Sequence, residues 1–213
     1  MEHLIISIDD ERVKYLKKRD SKLSLVIDYI GSVKYSYCND YFKFLVGEIV
    51  GQMLSNKVSY IIEKRLISLC NDNVSPEKII ELSIDRLRSI GLSYAKSNYL
   101  HNLSNAVLKN EINLIELNSL SDNDIIKNLT KIKGIGKWTT KMFLIFALQR
   151  ENVLPFEDGA FLQSYKWLYN TKDVRPKSIQ QQCECWNPYS SIAARYLYMA
   201  LDSGLTKKEL TMP

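Results

Sequence analysis

The sequence predicts an all-α fold, and three observations carry that prediction. Helix-capping residues recur along the chain, and apolar residues at helical spacing follow them. The alternation of polar and apolar residues that is typical of half-buried strands is nearly absent. With 213 residues and 46% apolar content, the chain is also long enough to bury a sizeable core.

The first predicted helix begins at Tyr41, after two residues that can cap it, Asn39 and Asp40. Ser55 can cap the helix that follows, through the segment NKVSYIIEKRLISLC. A short polar side chain at either start accepts a hydrogen bond from an otherwise unpaired N–H group of the first turn. We expect the apolar residues of the first helix to share one face: Phe42, Leu45, Val46, Ile49, Val50 and Met53.

Further helices are predicted between residues 75 and 132. Ser75 followed by Pro76 is typical of a capped start with proline in the first turn. The segment IGLS at 90–93 ends one helix at Gly91 and begins another at Ser93, which we expect to extend to Lys109. The segment SDNDIIKNLTKI is interpreted as a helix that stops at the turn KGIGK.

Four more helices are expected in the remaining chain. The segment KWTTKMFLIFALQR follows the turn directly. Asp158 and Gly159 open the helix AFLQSYKWLYN, whereas Pro176 and Pro188 start KSIQQQCEC and YSSIAARYLYMALD. No tandem repeat or long linker interrupts this succession.

The composition argues against a membrane protein, a secreted protein and a metal site. The longest apolar run, Met142 to Leu148, is far shorter than the roughly 20 residues of a membrane-spanning helix, and no signal-peptide pattern precedes it, so we expect an intracellular protein. The histidines, His3 and His101, lie near no cluster of metal ligands. The cysteines include only one close pair, with a spacing that fits neither a zinc ribbon nor an iron–sulfur run, so we interpret all as reduced thiols: Cys38, Cys70, Cys183 and Cys185.

Positive charge is concentrated in one part of the chain. The formal net charge is only +5, whereas the segment from Ile125 to Arg150 contains no Asp or Glu. Solvated helix faces usually mix both signs, so this segment favours an anionic partner over the alternative of a solvated face. Its basic residues are Lys127, Lys131, Lys133, Lys137, Lys141 and Arg150.

The turn KGIGK joins two predicted helices and suits the binding of phosphate. Gly134 and Gly136 can adopt positive φ and leave successive N–H groups uncovered, next to the positive end of the following helix. Lys133, Lys137 and Lys141 would surround the anion. Such contacts hold a nucleic-acid backbone with little dependence on sequence. A helix C-cap with a tight turn has the same pattern, whereas a nucleotide-binding P-loop does not fit.

Several segments, in order over about residues 42–200, resemble the helix-hairpin-helix DNA glycosylases, specifically the DNA-3-methyladenine glycosylase II branch. They are EIVGQMLSNKVSYII, GLSYAKSNYLHNLSNAV, LTKIKGIGKWTTKMFLIFAL, NVLPFEDGAFLQ and WNPYSSIAARYLYMA. The resemblance implies two helical lobes with a DNA-binding cleft between them. One lobe would span 40–120, and the other would combine 1–39 with 121–213, including the hairpin at about 122–150 and an aspartate loop at 153–160.

The resemblance implies that Asp158 is the catalytic residue. Cleavage of an N-glycosidic bond builds positive charge on the sugar, and a buried carboxylate stabilises that charge or orients the attacking water. The alternative is that Asp158 only caps the helix that follows. Its neighbour Glu157 is out of register with the family motif.

Trp138 determines the implied reaction subtype. Relatives that also cut the strand have a lysine at this position, which forms a Schiff base with the sugar. The resemblance therefore implies a monofunctional glycosylase that uses water and leaves an abasic site. Lys137 points elsewhere, because successive helical residues are rotated by about 100°. A glycosylase/lyase for oxidised bases and a non-catalytic lesion-sensing protein stay as alternatives.

The damaged base must be flipped out of the duplex to be examined. By resemblance, Met53 matches the position of the side chain that fills the gap, and Gln52 contacts the opened pair or stabilises the turn. Alkylated purines carry positive charge, so an aromatic pocket attracts them through cation–π contact. Trp138 and Tyr189 are the pocket candidates, and Met142 occupies a position that is aromatic in some relatives. Core packing is the alternative for Trp138 and for Met53.

The implied partner is double-stranded DNA with damaged bases, which a monomer would bind. The resemblance implies no membrane association. We expect no cofactor and no iron–sulfur cluster, although a structural monovalent cation at the hairpin is compatible with the resemblance. The residues implied to contact DNA are those of the hairpin: Lys133, Gly134, Ile135, Gly136, Lys137, Thr139 and Lys141.

Overall fold

The computed structural model describes residues 2–209, which are mostly helical. The all-α class is therefore confirmed. The chain forms two compact units, Cys38–Leu148 and Met1–Tyr37 with Gln149–Pro213. We call them the hairpin unit and the aspartate unit.

In chain order the elements are β1 (Glu2–Ile6), α1 (Glu11–Arg19), α2 (Ser21–Ile30), β2 (Val33–Tyr37), α3 (Tyr41–Gly51), α4 (Asn56–Leu69), α5 (Pro76–Glu81), α6 (Ile84–Ser89), α7 (Tyr94–Leu108), α8 (Asp122–Leu129), α9 (Lys137–Met142), α10 (Gly159–Tyr169), α11 (Pro176–Gln182) and α12 (Ser190–Asp202).

Most sequence-predicted helix starts are confirmed by their caps. The Asp40 carboxylate accepts from the Lys43 N–H at 3.0 Å at the start of α3, and Ser55 and Ser75 cap α4 and α5 in the same way. One expected helix is two, because Ser83 accepts from the Arg86 N–H and begins α6. The apolar helix after the turn is also shorter than expected: α9 continues as a π-helical turn over Phe143–Ala147.

The aspartate unit contains a two-stranded sheet that the sequence pattern did not reveal. β1 and β2 pair antiparallel, from Glu2 opposite Tyr37 to Ile6 opposite Val33. The core of this unit combines α1 and α2 with α10 and α12. Segments that are far apart in sequence thus share one core, whose largest side chains include the fully buried Trp186, Tyr196 and Phe161.

A buried carboxylate joins the two halves of this unit. Asp20 caps α2 by accepting from the N–H groups of Lys22 and Leu23, both at 3.0 Å. Its other oxygen accepts from Trp186 Nε1 at 2.8 Å and from the Tyr169 hydroxyl. Burial, together with the neighbouring Asp20 charge, raises the pKa of Tyr169, so the phenol stays a donor.

Tyr169→Phe is expected to lower the free energy of unfolding by about 1–2 kcal/mol, because it removes one donor from the buried Asp20 carboxylate and leaves the ring in place. Urea unfolding measures the change. The matched control is Tyr94→Phe, since Tyr94 is 64% exposed and its loss of a hydroxyl should have no effect. Equal stability of both variants would contradict this role of Asp20.

The hairpin unit is built around the apolar face of α3. Tyr41 and Phe44 pack edge-to-face against Phe143, with ring centroids 5.4 and 5.9 Å apart. These contacts, and those of α8 with α9, group the hairpin with residues 38–121, whereas we expected it to group with the chain termini. Among residues 2–209, the helices are all too short or too polar to cross a bilayer.

Candidate functional site

The two glycines of the hairpin have different roles. Gly134 has φ +111°, and a Cβ placed there would lie 2.2 Å from Cγ of Tyr99. Gly136 has φ −100°, so the expectation of positive φ is wrong for this residue. A Cβ at Gly136 would meet no atom within 4 Å. Gly134 is therefore required by conformation and packing, whereas Gly136 leaves the approach to the hairpin backbone open.

Only some of the hairpin residues expected to contact DNA have exposed side chains. Lys133 and Lys137 are exposed on either side of the turn. Lys141 is only 8% exposed, and Ile135 and Thr139 are buried as well. Contact of the Lys141 ammonium group with a phosphate is thus a wrong expectation for this structure. Ile135 and Thr139 hold the hairpin from inside, and any phosphate contact of theirs would use the backbone.

Met53 lies in the loop between α3 and α4 and has unusual geometry. We expected it on the apolar face of α3, but α3 ends at Gly51, and Met53 is 102% exposed. Its φ is +57°, a left-handed conformation that is uncommon for residues other than glycine. A fully exposed apolar side chain in such a conformation is typical of a functional site. Core packing, the alternative for Met53, does not apply.

Gln52 precedes Met53 and binds the hairpin. Its Nε2 donates to the Gly134 carbonyl oxygen at 2.9 Å and lies 3.4 Å from Oγ1 of Thr139. Of the two roles that we considered for Gln52, this one stabilises the turn.

The helix α7 also holds the hairpin, through residues that we did not identify as functional from the sequence. Asn102 Nδ2 donates to the Lys133 carbonyl oxygen at 3.0 Å, and the Tyr99 ring packs against Gly134. Lys96 donates to the carbonyl oxygen of Val50, at the C-terminal end of α3, at 2.8 Å. Positions 96, 99 and 102 follow one another along α7 at intervals of three residues, but nothing in that spacing indicates contact with the hairpin.

Asp158 is a helix cap and also a buried carboxylate. Its Oδ1 accepts from the Phe161 N–H at 2.7 Å, at the start of α10. Its own N–H donates to the Pro155 carbonyl oxygen at 2.9 Å, and the residue is 8% exposed. The cap fixes the orientation of the carboxylate, so the capping role and the catalytic role do not exclude each other.

Two candidate residues for base binding lie in the hairpin unit, and a third lies in the aspartate unit. In the hairpin unit, Trp138 is half-buried in α9 and Met142 is buried one turn later. In the aspartate unit, the Tyr189 ring lies edge-to-face against Tyr15, with centroids 5.4 Å apart. The pocket itself stays a prediction.

The cysteines are free thiols. Cys38 and Cys70 belong to the hairpin unit, and Cys183 and Cys185 to the aspartate unit. Burial raises the pKa of the Cys70, Cys183 and Cys185 thiols, which therefore stay protonated near neutral pH. Between residues 2 and 209, no three His, Cys, Asp or Glu side chains are grouped so that they could hold a metal ion.

Comparison with known proteins identifies the family to which this chain belongs. The family described as HhH-GPD superfamily base excision DNA repair protein matches residues 46–188. The chain belongs to this family, and the resemblance found in the sequence is confirmed.

Individual relatives within this family are named as DNA-3-methyladenine glycosylases or glycosidases. DNA-3-methyladenine glycosylase 1 of Schizosaccharomyces pombe is 31% identical over 158 residues, which are 72% of this chain and 69% of the relative. The crystal structure of DNA-3-methyladenine glycosidase from Bacillus halodurans is similar with a TM-score of 0.84 and 31% identity, over 99% of this chain and 97% of that one. The structure of Schizosaccharomyces pombe 3-methyladenine DNA glycosylase (Mag1) in complex with abasic DNA has a TM-score of 0.81 and 25% identity, over 95% and 100% of the two chains.

Proposed function

We propose that this protein is a monofunctional DNA glycosylase of base excision repair. It flips alkylated purines of the 3-methyladenine type out of double-stranded DNA and hydrolyses their N-glycosidic bond. The observation that carries the proposal is the Asp158 carboxylate, which is buried and fixed by its cap at the position of the family motif. The names of the relatives support the substrate class.

The chemistry needs one anion and one water molecule. An alkylated purine is already positively charged, so it leaves with the electron pair of the bond between C1′ and the base nitrogen and needs no general acid. The positive charge that develops on the sugar is stabilised by Asp158. Water then adds at C1′ and loses a proton, which leaves an abasic site with the strand intact.

Strand cleavage is not expected, because a Schiff base needs an amine at the position that Trp138 occupies. The neighbouring Lys137 is exposed and begins α9. Trp138 and Met142 of the hairpin unit, and Tyr189 of the aspartate unit, are each proposed as contacts of the flipped base.

The partner is damaged duplex DNA, bound by a monomer. Lys133, Lys137 and the open backbone at Gly136 are proposed to hold one phosphate group. No step uses a metal. The carbonyl oxygens of Lys133 and Gly134 each accept one hydrogen bond from a side-chain amide and keep a second lone pair, so a structural monovalent cation at the hairpin stays a prediction.

One assay tests this function and its subtype. The protein is incubated with duplexes that contain 3-methyladenine, 7-methylguanine, hypoxanthine, uracil or 8-oxoguanine, and strand breaks are measured before and after alkali. We expect breaks only after alkali and only for alkylated purines, with no covalent complex after borohydride reduction. Breaks without alkali would show a glycosylase/lyase. Tight binding without base release would show a lesion-sensing protein.

A further inference from the structure

The loop that carries Met53 is held firmly although its tip is fully exposed. We call residues 51–55 the wedge loop. A side chain that displaces a base from the stack must resist the base stacking that it replaces. A loop free to move would retreat instead. The structure should therefore contain a support behind Met53, and the surrounding contacts identify one.

The first part of this support is a stripe on α7. Lys96 donates to the Val50 carbonyl oxygen at 2.8 Å, so its ammonium group fixes the C-terminal end of α3, where the wedge loop begins. Three residues later, Tyr99 packs against Gly134 of the hairpin. After another three, Asn102 donates to the Lys133 carbonyl oxygen at 3.0 Å. One rigid helix thus holds the base of the wedge loop and the hairpin.

Gln52 closes the connection on the other side. It is adjacent to Met53 in the chain, and its Nε2 donates to the Gly134 carbonyl oxygen at 2.9 Å. This contact lies within the hairpin unit and spans 82 residues of sequence. It joins the wedge loop directly to the turn that is proposed to hold phosphate.

We propose that Gln52 is a positioning residue that acts through Met53. Together with the α7 stripe of Lys96, Tyr99 and Asn102, it forms a brace that keeps Met53 at a fixed distance from the hairpin. The hairpin holds the strand while the brace prevents Met53 from retreating, so phosphate binding and base displacement act as one rigid device. This inference rests on the proposed DNA function but not on turnover.

The brace predicts a selective defect. Gln52→Glu keeps the size of the side chain and removes the donor to Gly134. The new carboxylate would also lie beside the phosphate-binding turn and weaken the binding of undamaged duplex, so displacement is compared at protein concentrations that saturate the duplex for each variant. The equilibrium for displacing the base should become about tenfold less favourable. This is the usual scale for losing one hydrogen bond and leaving its partner unpaired. The matched control is Gln180→Glu, a substitution that makes the same change of charge in the aspartate unit. Gln180 is exposed on α11.

Displacement is measured by the fluorescence of 2-aminopurine placed next to an abasic-site analogue in a duplex, at saturating protein. Wild type and Gln180→Glu should increase the fluorescence, whereas Gln52→Glu and Met53→Ala should each give only about a tenth of that increase. The double variant should be no worse than Met53→Ala, because two residues that act as a unit are not additive. Full fluorescence with Gln52→Glu, or additive losses in the double variant, would overturn the proposal.

Excision rates separate the brace from catalysis. Single-turnover release of 7-methylguanine is compared for a paired lesion and for a lesion opposite an abasic-site analogue, where little stacking opposes extrusion. Gln52→Glu should lose about tenfold on the first duplex and less than about twofold on the second. Equal losses on both would indicate a general structural defect and overturn the brace. If wild type releases nothing from either duplex, the proposed function fails, and the fluorescence result still decides the brace.

Discussion

Asp158→Asn is expected to lower the single-turnover rate of base release by about 100-fold or more, because the positive charge on the sugar loses its anionic partner. Asparagine is as good a helix cap as aspartate, so the hydrogen bond to the Phe161 N–H and the start of α10 should persist. The loss should therefore appear in the rate and not in the affinity for DNA or the melting temperature. Rapid-quench measurement of base release at saturating protein gives the rate.

Asp40→Asn is the matched control for this variant. Asp40 caps α3 through a hydrogen bond from the Lys43 N–H, and its carboxylate is exposed rather than buried. The substitution makes the same change of charge at another helix start. It should leave the rate within about twofold, since exposed carboxylates contribute little at a distance. An Asp158→Asn variant that keeps full activity would show that the residue is only a cap.

Gly134→Ala is expected to lower the free energy of unfolding by about 3 kcal/mol, from the left-handed backbone and from a clash in a packed site. The added Cβ would lie 2.2 Å from Cγ of Tyr99 and cannot be accommodated without moving the α7 ring. For a chain of this length, that corresponds to a loss of roughly 6–12 °C in melting temperature. Thermal unfolding followed by circular dichroism measures it.

Gly136→Ala should behave in the opposite way. Its φ of −100° suits any residue, and the added Cβ would meet no atom within 4 Å, so the melting temperature should stay the same. The methyl group would instead stand where a phosphate approaches the hairpin, and we expect about tenfold weaker binding of undamaged duplex, as for one lost charged hydrogen bond. Equal stability of the two alanine variants, or unchanged DNA affinity of Gly136→Ala, would contradict the separate roles of the glycines.

Local signals predicted much of the fold because they act over one helical turn. Asp40, Ser55, Ser75 and Ser93 all cap helices that begin where the sequence indicated. The sequence pattern does not predict the two strands, because the paired residues lie about thirty positions apart and the alternation of polar and apolar residues is short. The place of the hairpin within the hairpin unit depends on contacts of α3 with Phe143, which no local pattern encodes.

Sequence predicts the candidate site well where the chemistry requires one residue type. It predicts the site less well where tertiary packing determines whether a side chain is buried or exposed. Asp158 and Gly134 have the burial and conformation that their motif positions imply. The sequence pattern predicts Lys141 as a surface cation, but the residue is only 8% exposed, because it lies on the buried side of α9. Met53 was placed on the apolar face of α3, yet the helix ends before it. The bonds of Gln52 and Asn102 to hairpin carbonyl oxygens are long-range and leave no trace in sequence spacing.

Release of free methylated base from alkylated duplex DNA would be direct evidence that this chain hydrolyses the N-glycosidic bond and that Asp158 is needed for the reaction. Duplex DNA treated with a methylating agent is incubated with excess protein, and the released bases are separated and quantified, with Asp158→Asn as the blank. Wild type is expected to release 3-methyladenine with the strands intact until alkali is added, whereas the blank should release almost none. If wild type and Asp158→Asn release the same amount, or neither releases any base, the chain is not the glycosylase described here.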